Sequence, residues 1–284
     1  MNNQTAIITG ASSGFGLLTV VELAKRGFSV IATMRNLESK ETIIELCKHE
    51  GMENRLHFIQ LDVTCPKSIE NFSVQIAELP TIDILINNAG FALGGFCEEV
   101  SVLEYKEQFE TNFFGVIAVT QAVLPYMRKQ QHGKIINLSS ISGKMGFPGL
   151  SPYVASKHAL EGWTECLRYE VKPIGIDVAL VEPGSFKTNI WSRGKRIAER
   201  SRLSTSPYST YMISIENELE KSKSSHGDPS DVATLIADIC THNKCKKFRF
   251  PIGKSVKLSF FLKMIIPWNL WEKIYFKKLG SHKS

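Results

Sequence analysis

The stretch Gln4-Thr5-Ala6-Ile7-Ile8-Thr9-Gly10-Ala11-Ser12-Ser13-Gly14-Phe15-Gly16 sets a short apolar run directly before a glycine-rich turn. Gln4 to Thr9 reads as a buried strand. Leu17 to Arg26 repeats its apolar residues at helical spacing and meets a C-terminal stop in Gly27. Strand, glycine turn and helix, in that order, open a doubly wound α/β sheet. The glycines permit a tight turn and let backbone approach a pyrophosphate. The free amides and partial positive charge of the helix start favour such an anion. The spacing is G-x-x-x-G-x-G, which differs from the more familiar G-x-G-x-x-G.

Working outward, the same alternation continues. Apolar runs at Phe28–Met34, Leu56–Leu61, Ile82–Ile86, Lys134–Leu138, Ile176–Val181 and Phe248–Gly253 predict strands. Between them, Leu37–Glu50, Pro66–Leu79, Val102–Lys129 (with Pro125 near its end), Tyr153–Val171 and Val232–Cys240 predict helices. Strands that are continuously apolar and alternate with helices imply a parallel sheet buried on both faces. The polar, serine-rich stretch 187–228 is predicted to form a lid over the C-terminal edge of that sheet, where such folds bind ligands. One domain is expected over residues 1–253, followed by a C-terminal extension, 254–284.

The length of 284 residues and a hydrophobic fraction of 43% suit one large α/β domain. Six cysteines, Cys47, Cys65, Cys97, Cys166, Cys240 and Cys245, show neither CxxC nor metal-ligand spacing, and MNNQTAIITG carries no secretory apolar segment. They read as reduced thiols of a cytoplasmic protein without a metal site. The histidines lack ligand spacing, and Glu98-Glu99 and Glu216/Glu218/Glu220 read as solvated faces. The net charge of +6 is uneven: from Lys244 onward there are eleven Lys/Arg and one acid, Glu272, against 23 basic and 27 acidic residues before. In that basic tail Phe260, Phe261, Trp268, Trp271, Tyr275 and Phe276 are interleaved with lysines. Lys263, Pro267 and Glu272 interrupt it well short of the ~20 apolar residues of a membrane span. Two readings stand: a C-terminal helix over the substrate mouth or a subunit partner, and an amphipathic segment at a membrane surface. Basic residues alternating with large aliphatics argue against a nucleic-acid stripe.

The chemistry concentrates in Tyr153-Val154-Ala155-Ser156-Lys157. Four residues apart on a helix, Tyr153 and Lys157 share one face, ~6 Å apart along the axis. An ammonium there favours the phenolate and turns a phenol with a resting pKa of ~10 into an acid or base usable near neutrality. Ser140 lies thirteen residues upstream, at the end of an apolar run.

Thr9-Gly10-Ala11-Ser12-Ser13-Gly14-Phe15-Gly16, Asn87-Asn88-Ala89-Gly90, Ser140, Tyr153-x-x-x-Lys157 and Pro183-Gly184 together resemble the short-chain dehydrogenase/reductase family, from Gln4 to about Thr188. The resemblance implies a seven-stranded parallel Rossmann sheet with the substrate site in the same domain. It implies that Tyr153 exchanges the proton, that Lys157 lowers its pKa and holds the nicotinamide ribose, and that Ser140 bonds the carbonyl oxygen, with Ser139 the alternative. Asn112 matches the family's helix asparagine that anchors a relay water. Gly10, Ser12, Ser13, Gly14, Phe15 and Gly16 would cradle the dinucleotide. Asp62 and Val63 would meet the adenine and Thr188 the carboxamide; Asn88, Ala89, Gly90, Pro183 and Gly184 would complete the cofactor's walls. Phe91, Phe147, Leu150 and Trp191 fall where the family's substrate pocket is lined.

Cofactor choice follows from charge. An acid at the end of the second strand commonly holds the ribose of NAD; here Ala32-Thr33-Met34-Arg35-Asn36 has none. Arg35 is placed to pair with a 2′-phosphate, aided by Ser12 or Ser13, so NADP(H) is expected over NAD(H). The expected activity is the interconversion of a hydrophobic ketone or aldehyde and its alcohol, as a carbonyl reductase or alcohol dehydrogenase. Met34-Arg35-Asn36 and the long tail are similar to steroid- and retinoid-type members. The alternatives are a non-catalytic dinucleotide-binding sensor or scaffold, which has no need of Tyr153, and nucleotide-sugar epimerase chemistry. The family also implies a homodimer or homotetramer through the helices Val102–Lys129 and Tyr153–Val171.

Overall fold

All four residues of β1 (Thr5–Ile8) are buried, and the strand pairs in parallel on both sides. The computed structural model describes residues 4–48, 50–188, 195–222, 224, 226–242 and 245–278. After β1 come α1 (Gly14–Lys25), β2 (Ser29–Met34), α2 (Glu41–Lys48), β3 (Leu56–Gln60), α3 (Pro66–Ile76) and β4 (Ile84–Asn87). The middle of the chain forms β5 (Ala92–Gly94), α4 (Val102–Phe109), α5 (Gly115–Gln130), β6 (Gly133–Leu138), α6 (Ser151–Val171) and β7 (Ile176–Pro183). It ends with β8 (Lys195–Ile197), α7 (Ser209–Ser222), α8 (Pro229–Thr241), β9 (Arg249–Ile252), α9 (Val256–Ile265) and α10 (Trp268–Lys278).

The main sheet has seven strands, ordered β3-β2-β1-β4-β6-β7-β9, every neighbouring pair parallel. The chain runs outward from β1 to β3, then returns to start β4 on the other side of β1. That reversal is the switch point at which doubly wound sheets open a crevice. Helices cover both faces. On one, Val20 and Leu23 of α1, Ile43 of α2 and Val232 and Ile236 of α8 pack on the sheet. On the other, Phe72 of α3, Val119 and Val123 of α5 and Leu167 of α6 do so. Fully burying one such side chain contributes about 1.5–3 kcal/mol, which is why the central strands are apolar on both faces.

A polar ladder crosses this apolar interior. Asn87 Nδ2 donates to Thr120 Oγ1 at 3.0 Å and to Asn137 Oδ1 at 2.8 Å, and Asn137 Nδ2 donates to Thr164 Oγ1 at 2.9 Å. The bonds tie β4, β6, α5 and α6 into one register next to the crevice. At the opposite end of β6, the buried Lys134 amine donates to the carbonyls of Ile239, Cys240 and His242, and so caps α8 where its dipole is negative.

Several predicted elements are reshaped. The helix expected over Val102–Lys129 forms as one continuous run: α4, started by a reciprocal Ser101/Glu104 capping box, passes through a π-helical segment, Glu110–Phe114, into α5, which keeps Pro125 inside. The helix expected from Leu37 begins as a 3-10 turn, Leu37–Lys40, capped by the Asn36 side chain. The tail breaks at Pro267 into α9 and α10. A second, two-stranded parallel sheet, β5-β8, was not foreseen.

Asn137→Ala removes two rungs of the ladder and leaves an Asn87 N–H buried without its acceptor. We expect a loss of roughly 1–3 kcal/mol, read as a lower urea midpoint at unchanged slope; a midpoint equal to wild type would show that the ladder adds nothing to stability.

Candidate active site

The C-terminal ends of β1, β2, β3, β4, β6 and β7 surround a cavity of ≈ 970 Å³. Gly10, Ser12, Ser13, Gly14 and Phe15 line it after β1, and Arg35 after β2. Asp62 and Val63 line it after β3, and Asn88, Ala89 and Gly90 after β4. Asn112, Ser140, Tyr153, Lys157, Pro183, Gly184 and Thr188 complete the set brought together. Gly16 is the exception. It is buried under the turn, and a Cβ there would strike the Gly10 carbonyl and lie 2.5 Å from Asn88 Nδ2. Without a Cβ it lets α1 pack against the turn.

The turn is built around two left-handed glycines, Gly10 at φ +67 and Gly14 at φ +56. A Cβ at Gly10 would sit 2.8 Å from Ala89 Cα, whereas one at Gly14 would meet nothing within 4 Å. Gly10 is therefore required by packing, and Gly14 by backbone conformation. Thr9 Oγ1 accepts from the amides of Asn88 and Ala89, both at 3.0 Å. Asn88 Nδ2 returns bonds to the Thr9 and Gly10 carbonyls at 2.8 and 3.0 Å. At the helix start, the Ser13 side chain makes no capping bond. First-turn amides without a side-chain cap, beside a glycine that leaves open space, fit a pyrophosphate. Asp62 closes its own turn by accepting from the Thr64 amide and hydroxyl at 2.9 and 2.7 Å, while still lining the cavity.

On the other wall, α6 begins at Ser151 and buries both Tyr153 and Lys157. The Tyr153 side chain is hydrogen-bonded to that of Ser140. Lys157 Nζ donates to the Leu138 carbonyl at 2.7 Å and stands 5.8 Å from the centre of the Tyr153 ring. Burial pushes the Tyr153 phenol up, and the Ser140 bond opposes this. Burial also pulls the Lys157 amine down to about 8. The expected lowering of the tyrosine by its lysine is not what the protein alone provides. Enclosure that brings the two groups together disfavours a charge on either.

The two serines separate. Ser140 contacts Tyr153 and accepts from the Ser142 amide at 3.1 Å. Ser139 Oγ is buried without a hydrogen-bond partner among the described residues and lies against Gly143, where a Cβ would be 2.6 Å away. Asn112 lies in the π-helical segment, fully buried. Its Oδ1 accepts from the Phe91 amide at 3.1 Å, and its Nδ2 donates to the Phe91 carbonyl at 3.0 Å and to Ser156 Oγ at 3.3 Å.

Of the expected substrate-pocket residues, Phe91 lines the cavity. Phe147 and Leu150 do not; Leu150 is instead bridged to Gly95 beside β5. Trp191 lies outside the described residues. Sequence reasoning missed Phe186, stacked edge-on against Phe15 at 5.7 Å, and Arg196, whose guanidinium covers the Phe91 ring at 4.5 Å. Their signal was faint: Phe186 follows Pro183-Gly184 closely, but Arg196 sits in a stretch without periodicity. Glu99, read as solvated, is buried and accepts from the hydroxyls of Ser201 at 2.6 Å and Ser206 at 2.5 Å. It fastens the segment after β8 to the loop after β5.

Behind the catalytic wall, Arg249 of β9 bonds Glu161, Glu165 and Glu182. One guanidinium cannot offset three carboxylates. Glu182, almost wholly enclosed and 3.9 Å from Lys144, is pushed up to about 7 by burial.

The family model of the short chain dehydrogenases matches residues 4–197. The chain belongs to the short-chain dehydrogenase family. An uncharacterized oxidoreductase of Bacillus subtilis, YusZ, is 49% identical over 281 residues, 99% of this chain and 100% of that one. A 3-ketodihydrosphingosine reductase of Bacteroides thetaiotaomicron is 38% identical over 261 residues, 92% of this chain and 91% of that one. Human retinol dehydrogenase 8 is 39% identical over 201 residues, 70% of this chain and 63% of that one, so retinoid-type members are among its relatives. A Streptomyces avermitilis short-chain dehydrogenase of known structure superposes with a TM-score of 0.81 at 30% identity, covering 100% of both chains. The protein is thus an oxidoreductase of this family with its Rossmann sheet.

Glu182 gives this family member a pH signature. Its folded pKa of about 7 lies above the ordinary 4.5. The stability it contributes is therefore full below about 4.5 and is lost as pH rises through about 7. Glu182→Gln cannot ionise, so its Tm relative to wild type is expected to climb between about pH 5 and about pH 8. A Tm difference that stays constant across that range would refute the shift.

Proposed function

We propose that the protein is an NADP(H)-dependent oxidoreductase that interconverts an apolar ketone or aldehyde and its alcohol. The observation that carries this reading is the Tyr153–Ser140 hydrogen bond, set beside Lys157 in a cavity whose opposite wall is the glycine turn and Arg35. The bound nicotinamide would supply the hydride in reduction and take it back in oxidation. A carbonyl oxygen seated on Tyr153 and Ser140 receives two hydrogen bonds. As the carbonyl carbon gains hydride, Tyr153 transfers its proton to that oxygen and becomes a phenolate. Ser140 stabilises the charge developing on oxygen, and the Lys157 ammonium stabilises the phenolate. Asn112 has a positioning role: it fixes the Phe91 backbone and Ser156 under the same wall, where a relay of protons would pass. Gly10, Ser12, Ser13, Gly14, Phe15, Asp62, Val63, Asn88, Ala89, Gly90, Pro183, Gly184 and Thr188 are assigned to cofactor contact.

The preference for NADP(H) rests on Arg35, which lines the cavity at the end of β2 with no acid beside it, and on the exposed Ser12 and Ser13 across the turn. An apolar substrate is supported by Phe91 and Phe186 in the wall and by the names of two relatives, one for reduction of a ketone and one for oxidation of an alcohol. Assembly as a homodimer or homotetramer through α5 and α6 belongs to the same reading. It is supported by exposed Phe114 at the start of α5 and exposed Tyr169 on α6.

NADPH consumption against a panel of apolar carbonyls tests the assignment. Tyr153→Phe is expected to lower kcat by about 100-fold or more while NADPH affinity is retained. Full turnover in that variant would reject Tyr153 as the acid. NADPH bound tightly by both proteins, with turnover by neither, would transfer the reading to a dinucleotide sensor. Arg35→Ala is expected to cut kcat/KM with NADPH roughly 10- to 100-fold and leave NADH little changed; equal losses with both cofactors would overturn the NADP(H) preference.

A further inference from the structure

We propose that α9 and α10 form a face that docks on an anionic lipid bilayer. The inner side of this pair is anchored on the body at the rim of the cavity. Val256, the first residue of α9, packs on Gly184 of the cavity wall, where a Cβ would meet Val256 Cγ2 at 2.6 Å. Lys144 covers the Phe260 ring at 5.4 Å. Tyr275 of α10 is half-buried near Tyr211 of α7, and that burial pushes its phenol up to about 12. The tail thus packs against the outside of the cavity wall at Gly184.

The outer side has the opposite character. Phe261, Met264 and Ile265 of α9 and Trp268, Leu270 and Ile274 of α10 are each about half exposed or more. Lysines share this surface. On α10, Leu270, Lys273, Ile274 and Lys277 follow one another at i, i+3, i+4 and i+7 and so lie on one face. Lys263 Nζ stands 3.8 Å from the Trp268 ring centre and 5.4 Å from that of Trp271, which locks α9 to α10 across Pro267. The basic surplus is local, since the chain before Lys244 has more acids than bases and α9 and α10 carry one acid, Glu272.

Charge and apolar surface in this mixture select the occupant. The core of a protein–protein interface is depleted in lysine, and here lysines interrupt the apolar residues. A bilayer surface accepts both: aliphatic and indole groups enter the acyl boundary, and ammonium groups remain among anionic headgroups, each worth about 1 kcal/mol. No described helix is long and apolar enough to cross a membrane, so the pair lies on the surface. With α9 starting at the cavity wall, docking brings the cavity mouth to the lipid phase. This inference holds whether or not the cofactor and substrate assignments do.

The full-length protein is floated with vesicles of phosphatidylcholine alone and of phosphatidylcholine with about a third phosphatidylserine. Binding is expected to the anionic vesicles only, and to weaken as salt rises. Lys273→Glu with Lys277→Glu is expected to weaken it at least about tenfold without changing turnover of a water-soluble carbonyl. Phe261→Ser with Ile265→Ser, both at exposed positions, is expected to weaken it while leaving the fold and Tm intact. Absence of binding to anionic vesicles at low salt would overturn the proposal. So would equal binding to both vesicles with no salt dependence, or a lysine-dependent self-association in sedimentation without lipid binding, which would assign the face to a second copy.

Discussion

The turns after the parallel neighbours β1 and β4 lead to helices on opposite faces of the sheet, yet the two turns are packed against each other. Thr9 and Asn88 join them with four hydrogen bonds: one hydroxyl accepts from two amides, and one amide group donates to two carbonyls. Gly10 and Gly16 are small because the two turns are pressed together there. The glycine turn, the Asn88-Ala89-Gly90 segment and the start of α1 are therefore placed by one joint. The wall with Ser140 and Tyr153 is registered to it through the Asn87–Asn137–Thr164 ladder. The two walls of the cavity are therefore held relative to each other by one chain of buried polar contacts.

Much of this was readable in the residues. Continuous apolar runs revealed the central strands because a parallel sheet covered on both faces leaves no polar side to disguise them. Tyr153 and Lys157 were placed together by helical spacing alone. What escaped depends on contacts distant along the chain. Glu99 looks solvated in sequence because its partners, Ser201 and Ser206, lie about a hundred residues away. β5 and β8 are three residues each, too short for any period to show. The π-helical segment at Asn112 is a change of one residue in hydrogen-bond step, invisible to an apolar pattern that drifts by less than that. The burial of Lys157, and the fall of its pKa, depends on enclosure by β6 and not on its spacing from Tyr153.

Electrostatically, the site has two layers. Facing the cavity, burial raises the Tyr153 phenol and lowers the Lys157 amine to about 8, so each is poised to respond to a nearby group of the right polarity. Behind them, Arg249 gathers carboxylates from α6 and β7, the two elements that carry Lys157 and Pro183. The cluster links α6 and β7 through β9.

The order of the strands has a further implication. β9 is the last strand added, at the edge of the sheet beside β7, and α9 leaves it directly against Gly184. The segment that reaches the substrate side is thus appended to the far margin of the sheet from β2 and β3, which carry Arg35 and Asp62. Its first residue, Val256, nevertheless packs on Gly184 of the cavity wall. The strand that positions α9 and the strands that position Arg35 and Asp62 thus lie toward opposite margins of one sheet, so a change in the tail reaches the Arg35 side only through the strands between them.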